Sequence, residues 1–215
     1  YYPFLDLQGN TGRTQLAVPL ALNNGKWSMD FVRMGDALTP HAKMVCIANP
    51  QNPTGRCYSL AELQALASFI EEHDLLLVSD EIHCQLILDE DNRHLPIDHA
   101  VPDIAHRTVS LFAATKTYNI PGLGCAAAIV PDAALRERFL ATRGDLVPGP
   151  GPLNHIASEA AFNDRSEWVP ELLTTLRRNR SLIEAVAGER MSTMEATSLA
   201  WLNMEDLQLN HVDGH

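Results

Sequence analysis

Apolar residues come in short unbroken runs separated by longer stretches of helical period. Lys43 to Ala48 (KMVCIA), Leu75 to Ser79 (LLLVS), Thr108 to Phe112 (TVSLF) and Cys125 to Val130 (CAAAIV) are the runs. Each is short, apolar and bounded by a breaker or a polar group, which predicts buried strands. Thr14 to Leu20 reads as a strand or extended segment, and Ser198 to Met204 (SLAWLNM) as a further strand. Between them, Leu60, Leu63, Leu66, Ala67 and Ile70 recur at spacings of three and four, predicting a helix over Ser59–His73. Ser59 with Glu62 three residues on has the form of a capping box. Ala133–Thr142, Asn154–Phe162 and the long amphipathic stretch Glu167–Val186 are also predicted helices.

Strands without alternation belong to sheets covered on both faces, and helices between them make the class α/β. The Pro/Gly-dense segment Val147–Pro152 (VPGPGP) is too short for a linker and reads as a rigid loop beside a site. A change of composition near Gly188 divides the chain into a large domain, 1–187, and the beginning of a smaller one, 188–215. Both ends read as cut, so the sequence is expected to be a fragment of a longer protein.

Composition narrows the function. The chain has 215 residues, 46% of them hydrophobic and 20% charged, enough to bury a core. Its 16 Lys+Arg against 27 Asp+Glu give a net charge of -11, with no basic stretch for a nucleic-acid backbone or an anionic membrane. No apolar run is long enough to span a bilayer, and the N-terminus lacks the form of a signal peptide. Cys46, Cys57, Cys84 and Cys125 are scattered, which suits reduced thiols and a cytoplasmic protein. The nine histidines show no paired metal spacing, so no metal is expected.

Three clusters carry candidate chemistry, each directly after an apolar run. Asn49-Pro50-Gln51-Asn52-Pro53-Thr54-Gly55-Arg56 forms a tight loop at a strand's C-terminal end, where α/β sheets place ligands. It could equally be a turn before the capped helix. Asp80-Glu81-Ile82-His83 delivers an acid to the next strand end, or is a solvated strand end with a loop histidine. Ala114 to Gly122 (ATKTYNIPG) sets one lysine, Lys116, among small and hydroxyl residues. A partly desolvated lysine has a lowered pKa and can form Schiff bases; an exposed loop lysine does neither.

Taken together, the order is Asn52, Asp80 28 residues later, and Lys116 36 residues after that. This resembles the large domain of the fold-type I pyridoxal-phosphate enzymes, the aspartate aminotransferase superfamily. NPQNPTGR, SDEIHCQL, TKTYNIPGL and SLAWLNM are most similar to its MalY/PatB-type cystathionine β-lyase branch, the bacterial C–S lyases. The resemblance implies a three-layer α/β/α large domain with a mostly parallel sheet, pyridoxal 5'-phosphate as cofactor, and a homodimer. It also implies roles. Lys116 holds the cofactor covalently and later takes the Cα proton. Asp80 pairs with the pyridine nitrogen, and Asn52 donates to the phenolic oxygen. His83 stands where many aminotransferases have a tyrosine. Thr115 lies near the phosphate, and Tyr1 (or Tyr2) stacks on the ring. Asn119 and the 148–154 loop border the same site.

Two departures qualify the resemblance. The arginine that many aminotransferases carry eight residues after the lysine is Gly124 here, which suits the lyase branch. A phosphate-binding helix N-terminus and a carboxylate-binding arginine, both implied by the resemblance, have no counterpart in these residues. The functions implied are a C–S β-lyase cleaving cystathionine or cysteine S-conjugates to a thiol, pyruvate and ammonia; an aminotransferase on the same cofactor; or a regulatory protein of the same fold without turnover. Outside the site, Trp168 with Leu172, Leu173 and Leu176 reads as an apolar core or interface stripe. Arg177, Arg178 and Arg180 read as a solvated face, and Trp201 as small-domain core.

Overall fold

The computed structural model describes residues 2–144 and 148–207. In chain order it contains α1 (Tyr2–Leu5), α2 (Leu7–Thr11), β1 (Ala21–Asn23), β2 (Lys26–Ser28), α3 (Phe31–Ala37) and β3 (Met44–Ala48). Then come α4 (Leu60–Glu72), β4 (Leu76–Asp80), α5 (Ile97–Ala100), β5 (Thr108–Ala113) and β6 (Ala126–Ile129). Three longer helices follow: α6 (Ala133–Arg143), α7 (Pro152–Phe162) and α8 (Trp168–Ala187).

The four apolar runs became one sheet in the order β3-β4-β5-β6. β3, β4 and β5 are parallel, and β6 closes the series antiparallel to β5. This is the expected α/β fold with a mostly parallel sheet. Parallel neighbours need a crossover, and α4 supplies the one between β3 and β4. Its capping box is formed as the sequence predicts: Ser59 Oγ accepts from the Glu62 N–H, and Glu62 accepts from the Ser59 N–H. Leu63, Leu66, Ala67, Phe69 and Ile70 of α4 pack with Leu75, Leu77, Ile97 and Ile104 into the core, against one face of the sheet.

Several expectations need correction. β6 is exposed along its whole length rather than covered on both faces, because it is the edge strand among the described residues. Residues 13–20 form no strand. The regular structure lies just beyond, in the hairpin β1–β2. There Asn24 (φ 50°) and Gly25 (φ 76°) make the two-residue turn that a twisted hairpin requires. Ser198–Met204 is reduced to one bridge, Met191 with Leu202, and Thr197 ahead of it sits at φ 71°. Trp201 is exposed rather than core, and Trp168 is also exposed. Arg177 and Arg180 are not a solvated face. Arg177 Nε donates to Leu88 O (2.7 Å), and Arg180 Nη1 donates to Asp89 Oδ1 (2.5 Å) and Met194 O (2.9 Å). They tie α8 to loops beside the sheet.

α8 stops at Ala187, where Gly188 takes φ 55°. Met191–Thr197 then runs back against the sheet domain, with Ser192, Met194, Glu195, Ala196 and Thr197 buried. The four cysteines are free thiols. Among the described residues no helix is long and apolar enough to cross a membrane, and no cluster of three His, Cys, Asp or Glu could hold a metal.

Candidate active site

The site is assembled where three parallel strands end side by side. Ala48, the last residue of β3, is in register with Asp80, the last of β4, and Asp80 with Leu111 of β5. The loops that carry Asn52, Asp80–His83 and Thr115–Lys116 therefore leave the sheet from adjacent strands, each about 4.8 Å from the next. Tyr1 lies outside the described residues.

The Asn52 loop is knit by a residue that the sequence analysis did not single out. Gln51 Oε1 accepts from the Thr54 N–H (2.8 Å) and from Thr54 Oγ1 (2.5 Å). The Gln51 N–H donates to Arg56 O and the Gly55 N–H to Gln51 O, both at 2.8 Å. Asn52 is half-buried, and the peptide bonds into Pro50 and Pro53 are cis. This is a turn ahead of the capped helix, and also a loop held rigidly enough to present one side chain.

Asp80 is not a solvated strand end. It is half-buried, its main-chain oxygen accepts from the Asn49 N–H (2.9 Å), and its Oδ1 accepts from the Ile82 N–H (3.2 Å). Burial lifts its carboxyl above the ordinary value, opposed by that N–H and by the charge of Lys116. His83 is buried, and neither ring nitrogen has a partner among the described residues. Burial first, and the Lys116 charge second, lower its pKa to about 4, so the ring is neutral at physiological pH. The lysine thus acts electrostatically on both groups.

Lys116 itself is exposed, closer to the plain loop reading than to a desolvated amine. Its loop is nevertheless ordered. Thr115 is half-buried and its carbonyl accepts from the Ile120 N–H, Thr117 is buried, and Asn119 sits at φ 50°. Trp168 at the start of α8 donates its indole N–H to Thr117 O (2.9 Å), bracing the loop from outside. Asn154 Nδ2 donates to Gly124 O (2.8 Å), which fastens α7 to the segment that follows.

A second group escaped the sequence analysis because its members are far apart in the chain. Arg56 and Glu195 are both buried, and Arg56 Nε donates to Glu195 Oε2 at 2.7 Å. Lys26 Nζ (2.8 Å) and the Cys57 N–H (3.0 Å) complete the carboxylate's partners, while Glu62 takes the far side of the guanidinium at 3.1 Å. Burial alone would raise the Glu195 carboxyl, but these donors hold it below its ordinary value. The Glu195 and Ala196 N–H groups both donate to Gly55 O at 2.8 Å. The 194–197 segment is thus bolted to the back of the Asn52 loop.

The chain is 32% identical over 222 residues to cystathionine β-lyase PatB of Bacillus subtilis (strain 168), covering 99% of this chain and 57% of that protein. It is 30% identical over 194 residues to an aspartate/prephenate aminotransferase of Nitrosomonas europaea, covering 86% of this chain and 48% of that one. The crystal structure of a PLP-bound C–S lyase from Staphylococcus hominis superposes with a TM-score of 0.86 at 27% identity, over 96% of this chain and 53% of that one. The chain spans about half the length of the curated relatives it matches. Residues 10–201 match the family described as aminotransferase class I and II, and the chain belongs to that family.

Proposed function

We propose that this chain forms most of the cofactor-binding part of a pyridoxal-phosphate-dependent carbon–sulfur β-lyase. Its substrates would be cystathionine or related cysteine S-conjugates, and its products a thiol, pyruvate and ammonia. The observation that carries the reading is the strand register: β4 delivers Asp80 and His83, and its parallel neighbour β5 leads into Lys116. Similarity to PatB supports the lyase branch.

The residues present suit this cofactor. A buried histidine with two unpartnered ring nitrogens offers a polar edge to a ligand. Asp80 offers a half-buried carboxylate already oriented by the Ile82 N–H. Asn52 and Thr115 are half-buried, at the rims of the flanking loops. In this reading Lys116 holds the cofactor covalently. Asp80 would pair with its ring nitrogen, Asn52 and His83 would serve its phenolic oxygen, and Thr115 its phosphate. Tyr1 would stack on its ring. When bound, the cofactor supplies an electron sink for the pair left at Cα. The Lys116 amine would take the Cα proton, and the Asp80 carboxylate would hold a proton at the ring nitrogen. The sulfur would leave Cβ as a thiolate that takes up a proton, and water would release pyruvate and ammonia from the remaining three carbons.

The same reading assigns residues 1–187 to the large domain and 188–215 to the start of a smaller one. It also places the whole protein in the cytoplasm as a homodimer. A second reading, amino-group transfer, is favoured by the similarity to an aminotransferase, and its first steps use the same residues. The deciding experiment uses the whole protein with cystathionine and no keto-acid acceptor. Pyruvate release supports the lyase; its absence, with amino transfer on adding a keto acid, overturns it. Lys116→Ala should abolish both reactions and the visible absorbance that borohydride bleaches; persistence of that absorbance would refute the lysine assignment.

A further inference from the structure

Directly behind Asp80 lies a buried acid that the proposed chemistry does not use. Side chains alternate across a strand, so Ser79 lies on the core face of β4 with Leu77, and Asp80 on the other; Glu81, just past the strand, joins Ser79 through a hydrogen bond. Glu81 is fully buried. Ser79 Oγ donates to its Oε1 at 2.9 Å, and the His94 ring nitrogen Nε2 makes a short contact with its Oε2. The adjoining Leu95 carbonyl accepts from Asn49 Nδ2 at 3.1 Å, so the 94–95 segment is fastened to the end of β3 as well.

A fully buried carboxylate is a poor way to gain stability. Replacing a buried ion pair with apolar side chains is often neutral or favourable, whereas removing one partner is costly. What the hydrogen-bonded Ser79–Glu81–His94 group does fix is geometry. The Glu81 N–H donates to Leu111 O (2.8 Å), its carbonyl accepts from the Cys84 N–H (3.0 Å), and the turn continues with the Leu86 N–H on His83 O (2.9 Å). Pinning the Glu81 side chain on the core face therefore holds Asp80 outward on the opposite face. It also fixes the start of the turn that presents His83.

We propose that the Ser79–Glu81–His94 group is a positioning device for the cofactor site, setting the aim of Asp80 and His83 from behind the sheet. The proposal rests on the reading that pyridoxal phosphate binds at Asp80 and Lys116. A residue that only steadies the core would alter melting; a positioning residue alters how well the ligand is held.

The test is titration of the cofactor-free whole protein with pyridoxal phosphate, alongside melting of the cofactor-free form. Wild type is compared with Glu81→Ala, Glu81→Gln and His94→Leu. Glu81→Ala and His94→Leu should weaken binding about tenfold and displace the pH midpoint of the visible band, as loss of a supporting partner does at other ligand sites. Glu81→Gln keeps the shape and one of the two acceptor oxygens, and should restore part of the affinity. If Glu81→Ala does not fold, His94→Leu gives the answer by itself. Binding within about twofold of wild type in both disruptive variants, with only melting lowered, overturns the proposal. Failure of wild type to bind the cofactor at all overturns the underlying reading instead, and this proposal with it.

Discussion

Arg56 and Glu195, 139 positions apart in the chain, meet as a buried ion pair with Nε to Oε2 at 2.7 Å. The pair joins the loop that carries Asn52 to the segment that follows α8. Glu195 also accepts from Lys26 and from the Cys57 N–H, so both oxygens of the buried carboxylate are hydrogen-bonded.

Removing one partner should therefore cost stability. Glu195→Ala is expected to destabilise the chain by roughly 3 kcal/mol, because Arg56 keeps Glu62 but its buried Nε–H and the Cys57 N–H lose their acceptor. Urea denaturation measures the loss; Glu195→Gln should lose less. The pH dependence has a defined sign. The Glu195 carboxyl is held below its reference value of 4.5, so the stability it confers is present above that value and is lost as pH falls through the lower folded value. The acid limb of a stability–pH curve should be shallower in Glu195→Gln than in wild type.

His83 titrates in a different window. Its folded pKa of about 4 lies below the reference 6.5, so between the two the unfolded chain binds a proton that the folded chain refuses. Stability should fall as pH drops from about 6.5 to about 4, and level off below. Thermal melting of wild type against His83→Asn across that range should show this slope only in wild type. Parallel curves would mean that the ring protonates freely in the folded state.

Gly55 is a close-approach glycine in a backbone conformation that L side chains rarely adopt. Its φ is 71°, and a Cβ there would meet the Ala196 carbonyl oxygen at 2.8 Å and Met194 Cγ at 3.0 Å. Gly55→Ala combines backbone strain with a clash against main chain, for an expected loss of roughly 2 kcal/mol or more. Because the Glu195 and Ala196 N–H groups hold the Asn52 loop through Gly55 O, the variant should also bind pyridoxal phosphate more weakly than wild type in an absorbance titration.

Trp168 offers a milder probe. Trp168→Phe keeps the ring but loses the indole donor to Thr117 O, for an expected cost of about 1 kcal/mol in melting or denaturant midpoint. Hydrogen exchange of the Tyr118 and Ile120 amides, which close the Lys116 loop onto Ala114 and Thr115, should quicken if the indole braces that loop.

Local signals carried the secondary structure because the forces behind them are local. The Ser59–Glu62 box acts within one helical turn, and the runs ending at Ala48, Ser79 and Phe112 are apolar over their own length. The sequence therefore placed α4 and the parallel strands within a residue or two, and the order Asn52, Asp80, Lys116 put the candidate chemistry at their C-terminal ends. The hairpin β1–β2 went unread because three-residue strands carry almost no periodicity, although Asn24-Gly25 marked its turn. Nothing local could show that β6 is an edge, that Arg177 and Arg180 reach back to loops beside the sheet, or that Trp168 braces the lysine loop. Nor could it show that Glu81 is sealed behind Asp80 while Arg56 finds Glu195. Burial, pairing and the lowered pKa of His83 depend on which distant groups share a low-dielectric space, and only the folded chain brings those groups together.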